Sequence, residues 1–306
     1  MHTIREMTTG DTSSARAKKP RSSGDARLFA GGLVLAGIVS VQLGSALATT
    51  LFDDLGPGGA VLLRTAFAAA VLAAIWRPAR ELLRGRTLRD ILIFGFVLAG
   101  MNLCFFAALE RLPLGIAVTL EFTGPLAVAV AGSRRRSDFL FAALAAAGIA
   151  LLSPSFGDGL DVVGVLFALL AGAFWGAYIL ASARVGRGPA GRAGLTPAMA
   201  FSTLLLLPLG IAQGGAELLE PELLAAGFGV AMLSSAIPYV AELEALRRLP
   251  AKTFGVLLSL EPAAAATIGF LALGQELPAR EALAIALIVA ASLGALRTAE
   301  TIEPEV

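Results

Sequence analysis

The sequence predicts an all-α membrane protein of ten transmembrane helices, arranged as two inverted five-helix repeats. Three observations predict it. First, 306 residues that are 57% hydrophobic and 15% charged, with mean hydropathy +0.79, are more apolar than water-soluble domains of ordinary composition. Second, a spanning helix needs about 20 mostly apolar residues, and ten such windows follow one another near 28–51, 58–76, 89–109, 112–132, 137–154, 160–183, 195–213, 222–245, 250–273 and 278–297. Any one of them could be a buried soluble helix, but ten in succession leave no polar surface for water. Third, the chain repeats itself: Arg111-Leu112-Pro113 and Arg248-Leu249-Pro250 align without a gap at an offset of 137 residues (111 to 248), and each carries a second proline 12 residues after the first, at Pro125 and Pro262.

The elements follow in order. Residues 1–27 are polar, rich in Ser, Thr, Lys and Arg, and are expected to be a disordered cytoplasmic tail. A cleavable signal ending at Ser45-Ala46-Leu47-Ala48 is the rival reading; the apolar run is too long for it, and further spans follow. The first repeat is expected over 28–154 and the second over 160–297, with a cytoplasmic C-terminal tail at 298–306. Small residues at Gly31 and Gly32, Gly95 and Gly100, and above all Gly172-Ala-Phe-Trp-Gly176 offer faces on which helix backbones can touch in lipid.

Orientation follows from the basic residues. With the N-terminus in the cytoplasm, all but three of the 24 Lys and Arg fall in inward segments: Arg111 and Arg280 lie outside and Arg64 lies within the second span. Asp53, Asp54, Asp158, Asp161, Glu217, Glu220 and Glu222 all fall in outward loops. One span more or fewer would scramble this partition. Five spans per repeat is an odd number, so the second copy enters the membrane upside down, and both termini are cytoplasmic. Inverted repeats supply two near-equivalent packings, one open to each side, and place their sites at the repeat interface near the bilayer midplane.

Ionisable groups at mid-span cost at least about 2.5–3.5 kcal/mol to insert, so each needs a reason. They are Arg64 in the second span, Glu121 in the fourth, Glu242 with Glu244 in the eighth, and Glu261 in the ninth. Gln42, Asn102, Thr119, Thr123, Tyr178, Ser234, Ser235, Tyr239 and Ser259 stand at similar depth. Glu121 precedes Gly124-Pro125, Glu242 follows Pro238 by four residues, and Glu261 adjoins Pro262, so the acids sit beside expected helix breaks where main-chain groups can also bind. One arginine cannot neutralise three or four carboxylates, so at least one acid must be protonated or meet a cation. An amino acid offers an ammonium for a glutamate and a carboxylate for Arg64. The expectation is a secondary transporter in which a glutamate, Glu121 first, alternately binds a proton and the substrate amine.

Other classes fit less well. An integral-membrane enzyme needs a nucleophile with its base, or a metal cluster, yet the one histidine is His2 in the tail and the one cysteine is Cys104. No catalytic residue, metal or cofactor is expected. A channel repeats its lining groups around an axis, whereas these are scattered over unlike helices. Six basic residues spread through the tail look like an orientation signal or a lipid contact, so nucleic acid is not an expected partner. The expected partners are the bilayer, a small-molecule amino acid and a proton; oligomeric state is not legible.

Residues 113–128, ProLeuGlyIleAlaValThrLeuGluPheThrGlyProLeuAlaVal, together with IleProTyrValAlaGluLeu (237–243), LysThrPheGlyValLeuLeuSerLeuGluProAlaAla (252–264) and Gly100-Met101-Asn102, resemble the EamA family of the drug/metabolite transporter superfamily, in its amino-acid-exporting branch. Similarity runs from about residue 30 to 297. The resemblance implies an inner-membrane permease of two EamA repeats that exports threonine, homoserine and related amino acids, driven by proton-motive force. It places the family's polar positions on Gln42, Arg64, Asn102, Glu121, Tyr178, Tyr239, Glu242 and Glu261. Another EamA substrate, such as a different amino acid, a purine or an amphipathic drug, is the alternative. The basic head and small-residue substitutions in the fifth and sixth spans are where this chain departs from the family.

Overall fold

The computed structural model describes residues 23–76, 84–131, 161–246 and 257–298, with Phe254 and scattered positions between 140 and 151. Every regular element among the described residues is helical: α1 (Ser23–Thr49), α2 (Phe52–Ile75), α3 (Gly85–Leu109), α4 (Leu114–Glu121), α5 (Thr123–Ala131), α6 (Val162–Arg187), α7 (Leu195–Gly214), α8 (Pro221–Ala231), α9 (Ile237–Leu246), α10 (Glu261–Leu273) and α11 (Ala279–Thr298). Among them, six helical stretches are long and apolar enough to cross a membrane, beginning at Leu28, Phe52, Gly85, Val162, Leu195 and Pro221. Two shorter apolar helices, Leu114–Val128 and Glu261–Leu273, accompany them. Most of the fifth expected span, the start of the ninth with Arg248-Leu249-Pro250, and most of the tail lie outside the described residues. Helix α1 starts at Ser23, several residues before the expected 28, because nothing in Gly24 to Arg27 stops a helix once the apolar run behind it is helical.

The breaks fall beside the acids, as the prolines predict. Helix α4 ends at Glu121 and α5 starts at Thr123. Pro125 has no N–H, so the Glu121 carbonyl four residues back loses its helical partner. Between α8 and α9 the chain winds as a π-helix over Met232–Ala236, with the Ile237 N–H donating to the Met232 carbonyl. Pro262 corrects one expectation: it sits in the first turn of α10, where a missing N–H costs nothing, so the interruption precedes Glu261, with Leu260 as the N-cap.

Helix α2 kinks where the sequence has Gly56-Pro57. Gly56 adopts φ 61°, ψ 169°, which a side chain resists, and Pro57 then starts the main helix. The orphan N–H of Gly58 is satisfied from α7, where Gln213 Oε1 accepts it at 2.6 Å. At the other end of α2, Thr196 of α7 donates to the Trp76 carbonyl at 3.1 Å. Both ends of α2 are thus tied to α7, its principal packing partner.

The end of the molecule holding Gly58 carries two further ties. Gln275 Oε1 accepts the Leu114 N–H at 3.0 Å, and Arg111 Nη1 lies 3.2 Å from Asp161 Oδ2. Asp161 also caps α6, its Oδ1 accepting the Gly164 N–H at 2.7 Å. That backbone bond, helped by Arg111, holds its carboxyl below the usual aspartate range despite some desolvation. At the opposite end Arg184 lies 3.2 Å from Asp90.

The glycine faces divide sharply. A Cβ on Gly95 would lie 2.5 Å from the Ala198 carbonyl and one on Gly100 2.5 Å from the Phe174 ring, so both admit close neighbours. Gly31 and Gly32 meet nothing within 4 Å among the described residues.

Candidate functional site

Backbones meet most closely where the Glu121 carbonyl is freed. A Cβ on Gly172 would lie 2.7 Å from that carbonyl oxygen, and one on Gly124 would overlap the Gly172 carbonyl. The α-hydrogens of the two glycines therefore point at each other's chain, the geometry of reciprocal Cα–H···O contacts. This accounts for Gly172-Ala-Phe-Trp-Gly176: its small face lets α6 sit against the break that carries Glu121. The opposite wall is built by Pro238. Lacking an N–H, Pro238 leaves the Ser234 carbonyl without its α-helical donor, and Arg64 Nη2 donates to it at 3.2 Å, while Arg64 Nε lies 3.3 Å from Ser235 Oγ. The Leu233 carbonyl in the same π-turn accepts Ser40 Oγ of α1 at 2.7 Å. Arg64 is further placed 5.4 Å from the Phe106 ring centroid, a cation–π contact.

Between these walls lies a cavity of about 600 Å³, within the usual range of small-molecule sites of about 300–1,000 Å³. All eight polar residues named from the sequence line it: Gln42, Arg64, Asn102, Glu121, Tyr178, Tyr239, Glu242 and Glu261. They come from seven different helices. Of the break residues, Pro125 and Pro238 face the cavity, while Gly124 and Pro262 shape the backbone behind it. Glu121 and Glu261 are each 8% exposed and Gln42 1%. Tyr178 and Tyr239 both turn into this space. On α4 and α5 (Val118 to Val128), on α6 (Trp175 to Ser182) and beyond α8 (Ser234 to Glu242) the lining positions lie away from the Gly58 end, whereas on α1 (Val41 to Ser45), α2 (Arg64) and α3 (Met101 to Phe105) they lie toward it.

Other polar positions are used locally. Thr119 and Thr123 donate to carbonyls of their own turn, at 2.5 and 2.6 Å, and Asn102 Nδ2 donates to Leu98 at 2.8 Å. Ser235 and Thr119 do not line the cavity, whereas Ser234 does. Sequence reasoning missed Ser45, Trp175 and Ser182, which also line it. The available signal was helical spacing, since Ser45 stands three residues from Gln42 and Ser182 four from Tyr178. Among the described residues no cluster of three or more metal-ligating side chains occurs.

Residues 162–297 match the model of the EamA-like transporter family. The chain is 40% identical over 276 residues to the threonine/homoserine exporter RhtA of Salmonella typhimurium, covering 90% of this chain and 93% of that protein. It is 40% identical over 268 residues to the exporter of the same name from Escherichia coli, covering 87% and 90%. The chain belongs to the EamA-like transporter family. A crystal structure of a protein 21% identical shares the fold at TM-score 0.57, over 88% of this chain and 97% of that one. As an EamA transporter the protein is a multi-pass membrane protein and not an enzyme.

Proposed function

We propose that this EamA transporter exports small amino acids such as threonine and homoserine across the inner membrane in exchange for protons, with both termini in the cytoplasm. The observation that carries the reading is the convergence of Arg64 with Glu121, Glu242 and Glu261 on one cavity. The substrate carboxylate turns to Arg64, whose charge is otherwise answered by the Ser234 carbonyl and the Ser235 hydroxyl. Its ammonium turns to the glutamates, and Glu121 exchanges that ammonium for a proton. Identity to exporters so named supports the substrate class.

Ten spans in two inverted repeats, 28–154 and 160–297, complete the proposal. Support comes from the packing pairs, which survive exchange of the copies: α3 on α6 is matched by α1 on the α8–α9 segment, α3 on α7 by α2 on α8, and α4 on α6 by α1 on α10. The chain also restarts its helices at equivalent points, Thr123 and Glu261 lying beside Pro125 and Pro262. Under the orientation set by the basic residues, the ties at Gly58, Leu114 and Arg111 close the outer side and the cavity faces the cytoplasm. This is the state that loads an exported substrate.

The test is efflux. Cells lacking their own exporters, expressing the chain and fed threonine- or homoserine-containing dipeptides, are expected to release free amino acid faster than empty-vector cells; equal release across a panel of amino acids would remove the reading. In proteoliposomes, Glu121→Gln is expected to abolish stimulation by an imposed pH gradient. Full retention of that stimulation would remove Glu121 from the coupling role.

A further inference from the structure

Gln42 and Ser45 are each 1% exposed, and both line the cavity. Gln42 Oε1 and Ser45 Oγ have no hydrogen-bond partner among the described residues. Burying a polar atom without a partner is unfavourable, and native structures rarely tolerate it without a use. Two such atoms one helical turn apart, turned into the same space, form a matched pair: an amide oxygen that only accepts and a hydroxyl that can donate. The two other unpartnered buried oxygens among the described residues differ in setting. Ser202 Oγ lies outside the cavity, and Asp90 Oδ1 faces Arg184 at 3.2 Å.

Position narrows what the pair would hold. A Cβ on Gly44, next to Ser45, would lie 2.7 Å from the Ser234 nitrogen, and the Ser234 carbonyl receives Arg64. The pair therefore stands on the same wall of the cavity as the arginine. It is electrically neutral, so it does not answer the substrate's ammonium or carboxylate, for which the cavity has Glu121 and Arg64. A neutral group that both donates and accepts is what the two oxygens complement: an alcohol donates its proton to Gln42 Oε1 and accepts one from Ser45.

We propose that Gln42 and Ser45 form the subsite for the side-chain hydroxyl of the transported amino acid, and so select hydroxylated substrates over isosteric apolar ones. This rests on the exporter reading above and deepens it. An analogue without the hydroxyl leaves both oxygens buried and unpaired, which is how a site discriminates by hydrogen bonding rather than by size.

The experiment uses the full chain in proteoliposomes, comparing kcat/KM for threonine with that for 2-aminobutyrate, which lacks only the hydroxyl, and for valine, which replaces it with a methyl group. The expected wild-type preference for threonine is about tenfold or more, the size of one well-made hydrogen bond to a buried partner. Ser45→Ala and Gln42→Met are each expected to collapse that preference toward unity by lowering threonine transport selectively. Having two variants covers the case in which one fails to fold. If a folded variant slows threonine and 2-aminobutyrate equally, or leaves the preference intact, the subsite assignment is overturned. Wild-type transport of threonine with no preference over 2-aminobutyrate also overturns it while leaving the exporter reading standing. A wild type that moves no amino acid removes the exporter reading, and the subsite with it.

Discussion

Adding one methyl group at Gly124 tests whether the break beside Glu121 is held by backbone contact with α6. A Cβ there would overlap the Gly172 carbonyl oxygen, lie 2.5 Å from its carbon and 3.0 Å from the Gly172 Cα. Every opposing atom is main chain within a helix, so no rotamer change relieves the clash and α5 must retreat from α6 by roughly an ångström. Overpacking of this kind costs about 1–3 kcal/mol, and Gly124→Ala belongs at the upper end because both sides are rigid. Gly172→Ala is milder, its Cβ meeting the Glu121 oxygen at 2.7 Å. Gly176→Ala is mildest, since its nearest neighbour at 3.2 Å is the Val128 Cγ2. Gly32→Ala, with nothing within 4 Å among the described residues, is the control. At about 2–4 °C per kcal/mol for a chain of this size, Gly124→Ala is expected to lower the melting temperature of the detergent-purified protein by about 4 °C or more. Gly32→Ala leaves it unchanged. Gly124→Ala and Gly172→Ala together are expected to cost less than their sum, because they relieve one another's contact. A folded Gly124→Ala protein that melts with the wild type, or a Gly176→Ala protein that melts below it, would refute the reasoning.

Further outcomes follow from other contacts. Pro238→Ala returns an N–H that competes for the Ser234 carbonyl now held by Arg64; substrate affinity is expected to fall by several-fold in a binding titration while the melting temperature holds or rises. Gln275→Ala strands the part-buried Leu114 N–H, at a cost of about 1 kcal/mol or more, and is expected to raise labelling of a cysteine placed in the outer half of α4. Asp161→Ala removes both the α6 cap and the Arg111 contact, so amide exchange in the first turn of α6 is expected to rise more than in Arg111→Ala, whose exposed ion pair is worth little. Because the folded carboxyl titrates below its ordinary value, the Asp161 contribution is complete above about pH 4. It is lost as pH falls through the lower folded value, so first-turn protection corrected for intrinsic exchange is expected to be flat from pH 7 to 5 and to fall only below about pH 4.

How the site reads from sequence depends on the residue. Glu121, Glu242 and Glu261 were legible because a carboxylate in an apolar run is costly enough to need a purpose. The prolines beside them located the interruptions, since a missing N–H acts wherever the fold places it. Pro262 was legible as an interruption but not as a first-turn residue, because sequence does not say on which side of a proline a helix resumes. Ser45 was easy to pass over: one serine among small residues costs little to bury, so its three-residue spacing from Gln42 gains weight only once both side chains are seen to line the cavity without a partner among the described residues.

Apolarity, the placement of charge and the gapless repeat were enough, taken from the chain alone, to give helices in a membrane with buried acids in both copies, while the family and its eight polar positions came from the motifs at 113–128, 237–243 and 252–264. These properties are summed over long segments, so no particular contact has to be known. The tertiary structure alone decided that the eight positions share one cavity, that Arg64 leans on the π-turn at Ser234 rather than on a carboxylate, and that Gly172 meets the backbone at Glu121. Those facts depend on which helices become neighbours and at what depth they touch, and a linear pattern carries neither coordinate.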